Sequence, residues 1–173
     1  MALTLYAATI PSFVQILGSV ASMIDKAEAF CGAHNLAPEV LIEARLAEDM
    51  LPFAYQVKSA AVHSLGAIEG VRQGVFGPDM TPPPASFQAL RARMTETMVA
   101  LQSIDPAEIE SFIGRPMRFE MGSFRMDFTA EEFLLSFSQP NFYFHAATAY
   151  DILRMKGVAL GKRDYLGAMR LAG

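Results

Sequence analysis

A single cysteine, three histidines and no tryptophan set the first limits on what this chain does. One thiol, Cys31, excludes an intramolecular disulfide and any cysteine pair for zinc, and it suits a reducing, cytoplasmic setting. Charge is also scarce: 18% of residues are charged and the net charge is −4. No basic run occurs, so the patch that nucleic acid requires is missing. Absent too are a phosphate-cradling Gly-rich loop, a Gly-x-Ser-x-Gly elbow and a His-Glu-x-x-His helix. What the chain has in abundance is core material. With 52% hydrophobic residues in 173, it reads as one folded domain, 1–173, rather than a disordered segment.

No charge precedes Asp25, and a stretch of that length would span a bilayer. The stretch lacks a basic flank, and Thr4, Thr9, Pro11, Ser12, Gln15, Ser19 and Ser22 dilute it. Phe13, Ile16, Leu17, Val20, Ile24, Ala27 and Cys31 recur at three and four. The expectation is therefore a soluble amphipathic helix to about Asn35, with neither signal peptide nor membrane span. Cys31 falls on its apolar stripe and is expected in the core; His34 belongs to the solvated end.

A second long helix is expected from Pro52 to Gln73, with Val57, Ala60, Ala61, Ser64, Ile68 and Val71 inward. Gln56, Ser59 and His63 form another stripe on it, where His63 reads first as a rim histidine. Residues 74–84 read as a loop stiffened by prolines, and Ser86 caps a third helix. From Met117 to Phe128 the period changes to two. Gly122-Ser123 reads as a hairpin turn that would set Glu120 against Arg125 and Arg118 against Asp127. Thr129 to Glu132 has the form of a capping box for a short helix. Pro140 to Gly157 then reads as a last long helix, apolar on nearly every side and so expected to be buried all round. Beyond Gly157 the chain is expected to be irregular, with Lys162-Arg-Asp164 solvated or folded back over the site mouth.

On that last helix Asn141, His145 and Thr148 share one stripe. A bundle would bring them toward Asp49, Gln56 and Ser59. The reading assigns His145 and Asp49 catalytic or orienting roles, and Gln56, Ser59, Asn141 and Thr148 ligand contacts. The simpler alternative makes His145 a core histidine satisfied by an amide or carboxylate.

Three motifs are similar to those of a bacterial family of domains of unknown function within the DinB/YfiT-like superfamily. They are Met1-x-Leu-x-x-Tyr6, Ala44-Arg-Leu-Ala-x-Asp49-Met-x-Pro52, and the run from Pro140 through His145, Thr148, Arg154 and Gly157 to Gly161-Lys-x-Asp164-x-Leu-Gly. The resemblance implies an all-α, up-down four-helix bundle, with the hairpin inserted before the last long helix. It also implies a divalent metal, Zn or Ni, held by three histidines, and frequent pairing into a homodimer. Here His145 falls at one of those ligand positions, while Asn141 and Gln56 fall at the other two. Three functions follow as expectations. One is a small-molecule binder with a degenerate metal site. The others are a metal-dependent hydrolase or thiol-dependent transferase, and a structural bundle without an active site.

Overall fold

The computed structural model describes residues 3–171; Met1 of the first motif lies outside them. Helix α1 (Leu5–His34) begins where Thr4 Oγ1 accepts the Ala7 amide. It ends at Asn35, whose φ of 52° is the left-handed stop. All seven residues expected on its inner stripe are buried. Its length and apolarity would suffice to cross a membrane, yet half of its most apolar window is covered by the rest of the fold. After a short α2 (Glu39–Ile42), helix α3 (Phe53–Ala61) continues through a π-helical turn (Val62–Gly66) into α4 (Ala67–Gln73). Helix α5 (Phe87–Gln102) follows, capped by Ser86 as expected, then a short α6 (Pro106–Glu110).

Strands β2 (Pro116–Met121) and β3 (Phe124–Thr129) form the hairpin, with Arg118 opposite Asp127 and Glu120 opposite Arg125. The segment expected to be only loop contributes a third strand, β1 (Val75–Phe76), parallel to β2. Gly70 permits it: a β-carbon there would lie 2.9 Å from Phe76 Cβ.

The capping box at Thr129 does not form, and Pro140 does not start the last helix. Instead α7 (Ala130–Glu132), a second π-helical turn (Phe133–Ser138) and α8 (Gln139–Met155) make one continuous helix. Pro140 has no amide to donate and its ring crowds the preceding turn, so the winding widens just before it.

Four long helices build the bundle. Helix α1 packs on α5 and α8, and α3 packs on α8 and α5. Phe13, Phe53, Phe133 and Phe142 fill the centre, each fully buried. The expectation that α8 is covered on all sides is corrected: Phe144 and Met155 stand about half exposed, because a four-membered ring leaves each helix an outer face. The tail is not irregular either. Helix α9 (Lys162–Leu166) lies along α1, and Lys26 pairs with Asp164 at 2.6 Å. It lines no part of the His145 pocket.

Candidate functional site

Between α3, α8 and the sheet lies a pocket of about 220 Å³. Both π-helical turns open onto it: one carries His63, the other Phe137 and Ser138. The two turns are joined, since the Ser138 hydroxyl donates to the His63 carbonyl at 3.0 Å. Widened turns of this kind recur at functional sites because they redirect side chains without ending a helix.

His145 projects from α8 and its ring lies 5.5 Å from that of His63, nearly parallel to it. Its tautomer follows from its neighbour. The Gln56 amide nitrogen donates to the Leu51 carbonyl at 2.8 Å, which fixes the amide's orientation. Gln56 Oε1 therefore accepts, and the His145 Nδ1 at 2.7 Å carries the proton. The His145 Nε2 is left with its lone pair. The same logic applies to His63. The Ser138 hydroxyl has spent its proton on a carbonyl, so its oxygen faces the His63 Nδ1, 3.4 Å away, as an acceptor. Both imidazoles are half-buried. Burial pushes each pKa from 6.5 down to about 4, and for His63 the neighbouring His145 adds to the effect. At neutral pH both rings are uncharged acceptors.

The wall opposite is aromatic. Phe119 stands in tilted contact with Phe76 and with Phe137, at centroid distances of 6.3 and 5.0 Å. Tyr55, Ser59 and Asn141 add polar groups to the lining. Asn141 spends its amide nitrogen on the Phe137 carbonyl at 2.7 Å.

The residue that sequence reasoning missed is Lys58. It is 2% exposed, and its ammonium donates to the carbonyls of Asp79 and Thr81 and pairs with the Asp79 carboxylate at 3.1 Å. Three donors meet three acceptors, which is what a buried ammonium requires. Burial works to raise the Asp79 carboxyl, but hydrogen bonds from Thr81 and Lys58 outweigh it and hold the group below its usual range. Lys58 thus straps the proline-rich loop against the helix and makes Pro78 and Asp79 part of the pocket wall. A signal was available: Lys58 is the one charge between Pro52 and Glu69.

Two expected site residues lie elsewhere. Asp49 is exposed on the connector before α3, where the Arg45 guanidinium donates to the Met50 carbonyl and closes the turn locally. Asp49 does not line the pocket, so it is withdrawn as a catalytic or orienting partner. Thr148 is buried in α8, one turn beyond the lining. Gln56 and Ser59 do converge with Asn141 and His145, Gln56 from behind the imidazole. His63 is no rim residue but the partner ring of His145.

A model of a domain of unknown function, DUF1993, matches residues 5–166. The chain belongs to the DUF1993 family. A crystal structure of a DinB family member protein from Shewanella denitrificans has the same fold. Its TM-score is 0.79 at 28% identity, over 98% of this chain and 95% of that one. No curated protein matches the sequence. The DinB-like bundle read from the motifs is therefore the fold of this DUF1993 member.

The metal implied by the DinB resemblance does not fit the donors present. Among the described residues no three His, Cys, Asp or Glu side chains come together. Gln56 Oε1 is committed to His145, and Asp79 to Lys58. Two imidazoles and an amide are a poor set for Zn or Ni.

Proposed function

We propose that this DUF1993 protein is a cytoplasmic small-molecule-binding member of the DinB-like fold, whose site is the pocket between His63 and His145. The observation that carries the reading is the relay from Leu51 through Gln56 to His145, which leaves Nε2 as a fixed acceptor. At about 220 Å³ the pocket is smaller than a drug-sized site, so the ligand is small. It offers an N–H or O–H to the imidazoles and a flat face to Phe76, Phe119 and Phe137. With a pKa near 4, neither histidine matches the proton of a typical substrate at neutral pH, which favours binding over acid–base catalysis. The cytoplasmic placement leans on the lone, buried thiol of Cys31.

The test is a fragment screen by NMR with His145→Gln beside the parent protein. Small azoles and phenols are expected to shift the Tyr55, Ser59 and Asn141 amides, and to lose that effect in a variant that melts within a few degrees of the parent. Hits that bind both proteins equally would sink the reading. Elemental analysis tests it from the other side: one equivalent of Zn or Ni, retained by the parent and lost in His145→Gln, would replace it with a metalloenzyme.

A further inference from the structure

The motif from Gly161 to Gly167 has no part in the His145 pocket, yet it is tied along α1 in a regular antiparallel order. Lys26 holds Asp164, Gln15 Nε2 donates to the Leu166 carbonyl at 2.8 Å, and Arg170 donates to Ser12 Oγ at 3.3 Å. Gly167, at φ 61°, lies so close that a β-carbon there would sit 2.2 Å from Ser19 Oγ. The tail is thus seated as one wall, with α1 as the other. Between them runs a groove of about 690 Å³, a size that accommodates a drug-sized ligand.

The groove has a direction. Toward the start of α1 its floor is Tyr6, Ile10, Pro11 and Val14, and Arg170, its guanidinium held by Ser12 Oγ, edges that end. Toward the middle of α1 the lining turns small and polar at Gly18, Ser19 and Ser22, and there Arg163 stands at the rim beside Asp164. The charge of Asp164 is met by Lys26 and the Gly161 amide. Among the described residues Arg163 forms no ion pair. An apolar trough with an uncommitted guanidinium at its polar end is complementary to an anionic amphiphile. We propose that this groove binds a molecule with an extended apolar chain and a terminal carboxylate, the chain along Val14, Pro11 and Ile10 and the carboxylate at Arg163. The site is separate from the His145 pocket and does not depend on the function proposed for it.

Dodecanoate is the probe, with dodecanol as the uncharged control, both kept below their aggregation limits. Saturable binding of dodecanoate is expected by calorimetry, with amide shifts confined to residues 6–22 and 163–170. Arg163→Gln should weaken dodecanoate about tenfold and leave dodecanol unchanged, as loss of one charge-assisted contact predicts. Gly18→Leu supplies a second variant. A β-carbon there meets only Met98 Sδ at 3.6 Å, an ordinary contact, and leucine favours a helix. Its side chain should block the groove in a folded protein and abolish binding. The proposal is overturned by an absence of saturable binding, by equal affinity for the alcohol, or by shifts centred on His63 and His145.

Discussion

The two concavities of this molecule differ in more than size. The His145 pocket is about a third the volume of the α1 groove, and it is walled by two helices, a sheet and a strapped loop. Lys58, His63, Asn141 and His145 each have a partner that sets their orientation. The groove has one wall from a long helix and one from the tail, whose described residues, 158–171, bury little beyond Val158 and Leu160. Preorganisation and room have therefore been placed at different ends of the fold. The pocket's integrity is a property of the whole bundle, whereas the groove's is a property of a few contacts along α1.

Acid is the strongest way to break that contrast. Both histidines have folded pKa values near 4, below the 6.5 of the unfolded chain. The unfolded state thus binds more protons between those values, so the neutral rings contribute fully above pH 6.5 and progressively less down to about pH 4. A few kcal/mol is at stake over the two rings together, on the order of 1.4 kcal/mol for each tenfold change in proton affinity. Urea titrations at pH 7.5 and 4.5 should show the loss, and the double variant His63→Gln, His145→Gln should flatten most of it. A variant with the parent's slope would mean that carboxylates alone govern acid unfolding.

Lys58→Met comes next. Removing the ammonium strands two carbonyls and leaves the Asp79 carboxylate only its Thr81 bonds, at a cost of about 2–3 kcal/mol, softened because Asp79 is 27% exposed. Thermal melts should fall accordingly, and fragments should lose the pocket as residues 77–81 come away. Gln56→Leu is milder, about 1–2 kcal/mol for the lost pair of hydrogen bonds. Its sharper readout is nitrogen NMR of His145, where the proton should no longer be confined to Nδ1. Gly167→Ala has the smallest global effect, about 1 kcal/mol or less, since the tail can leave α1 more cheaply than it can adopt a strained φ. Hydrogen exchange should nevertheless accelerate across residues 160–170 while the His145 pocket stays protected. Uniform acceleration would show that the two regions are not independent.

What was legible in the sequence was local. The hairpin announced itself because charges of opposite sign alternate with apolar residues about Gly122-Ser123, and every register pair agrees. The apolar stripe of α1 was equally plain. His145, Gln56 and Asn141 stood out because polar residues on otherwise apolar helices need partners. Two of the misreadings were non-local and two were local. Strand β1 exists only because β2, some forty positions later, offers an edge. The tail after Gly157 looked irregular because Asp164 and its partner on α1, Lys26, are 138 residues apart. Asp49 was chosen for its carboxylate, though a connector closed on itself points it outward. Pro140 carries the correct signal for a first turn, but the helix before it absorbs the missing amide by widening.

That widening sets a phase relation along the chain. A π-helical turn closes i→i+5 bonds and so holds one more residue than an α turn of about the same rise and rotation, which keeps the helix after it in phase with the helix before it. In α winding each residue turns the chain by about 100°. Removing one residue from Val62–Gly66 would let α3 and α4 merge into regular winding, and helix content measured by circular dichroism would hardly change. The face carrying Ile68 and Val71 would keep its direction relative to the face carrying Val57 and Ala60, while His63 would lose the widened turn that sets it against His145. A one-residue deletion there would therefore leave the core aligned and undo the pocket on the same rod.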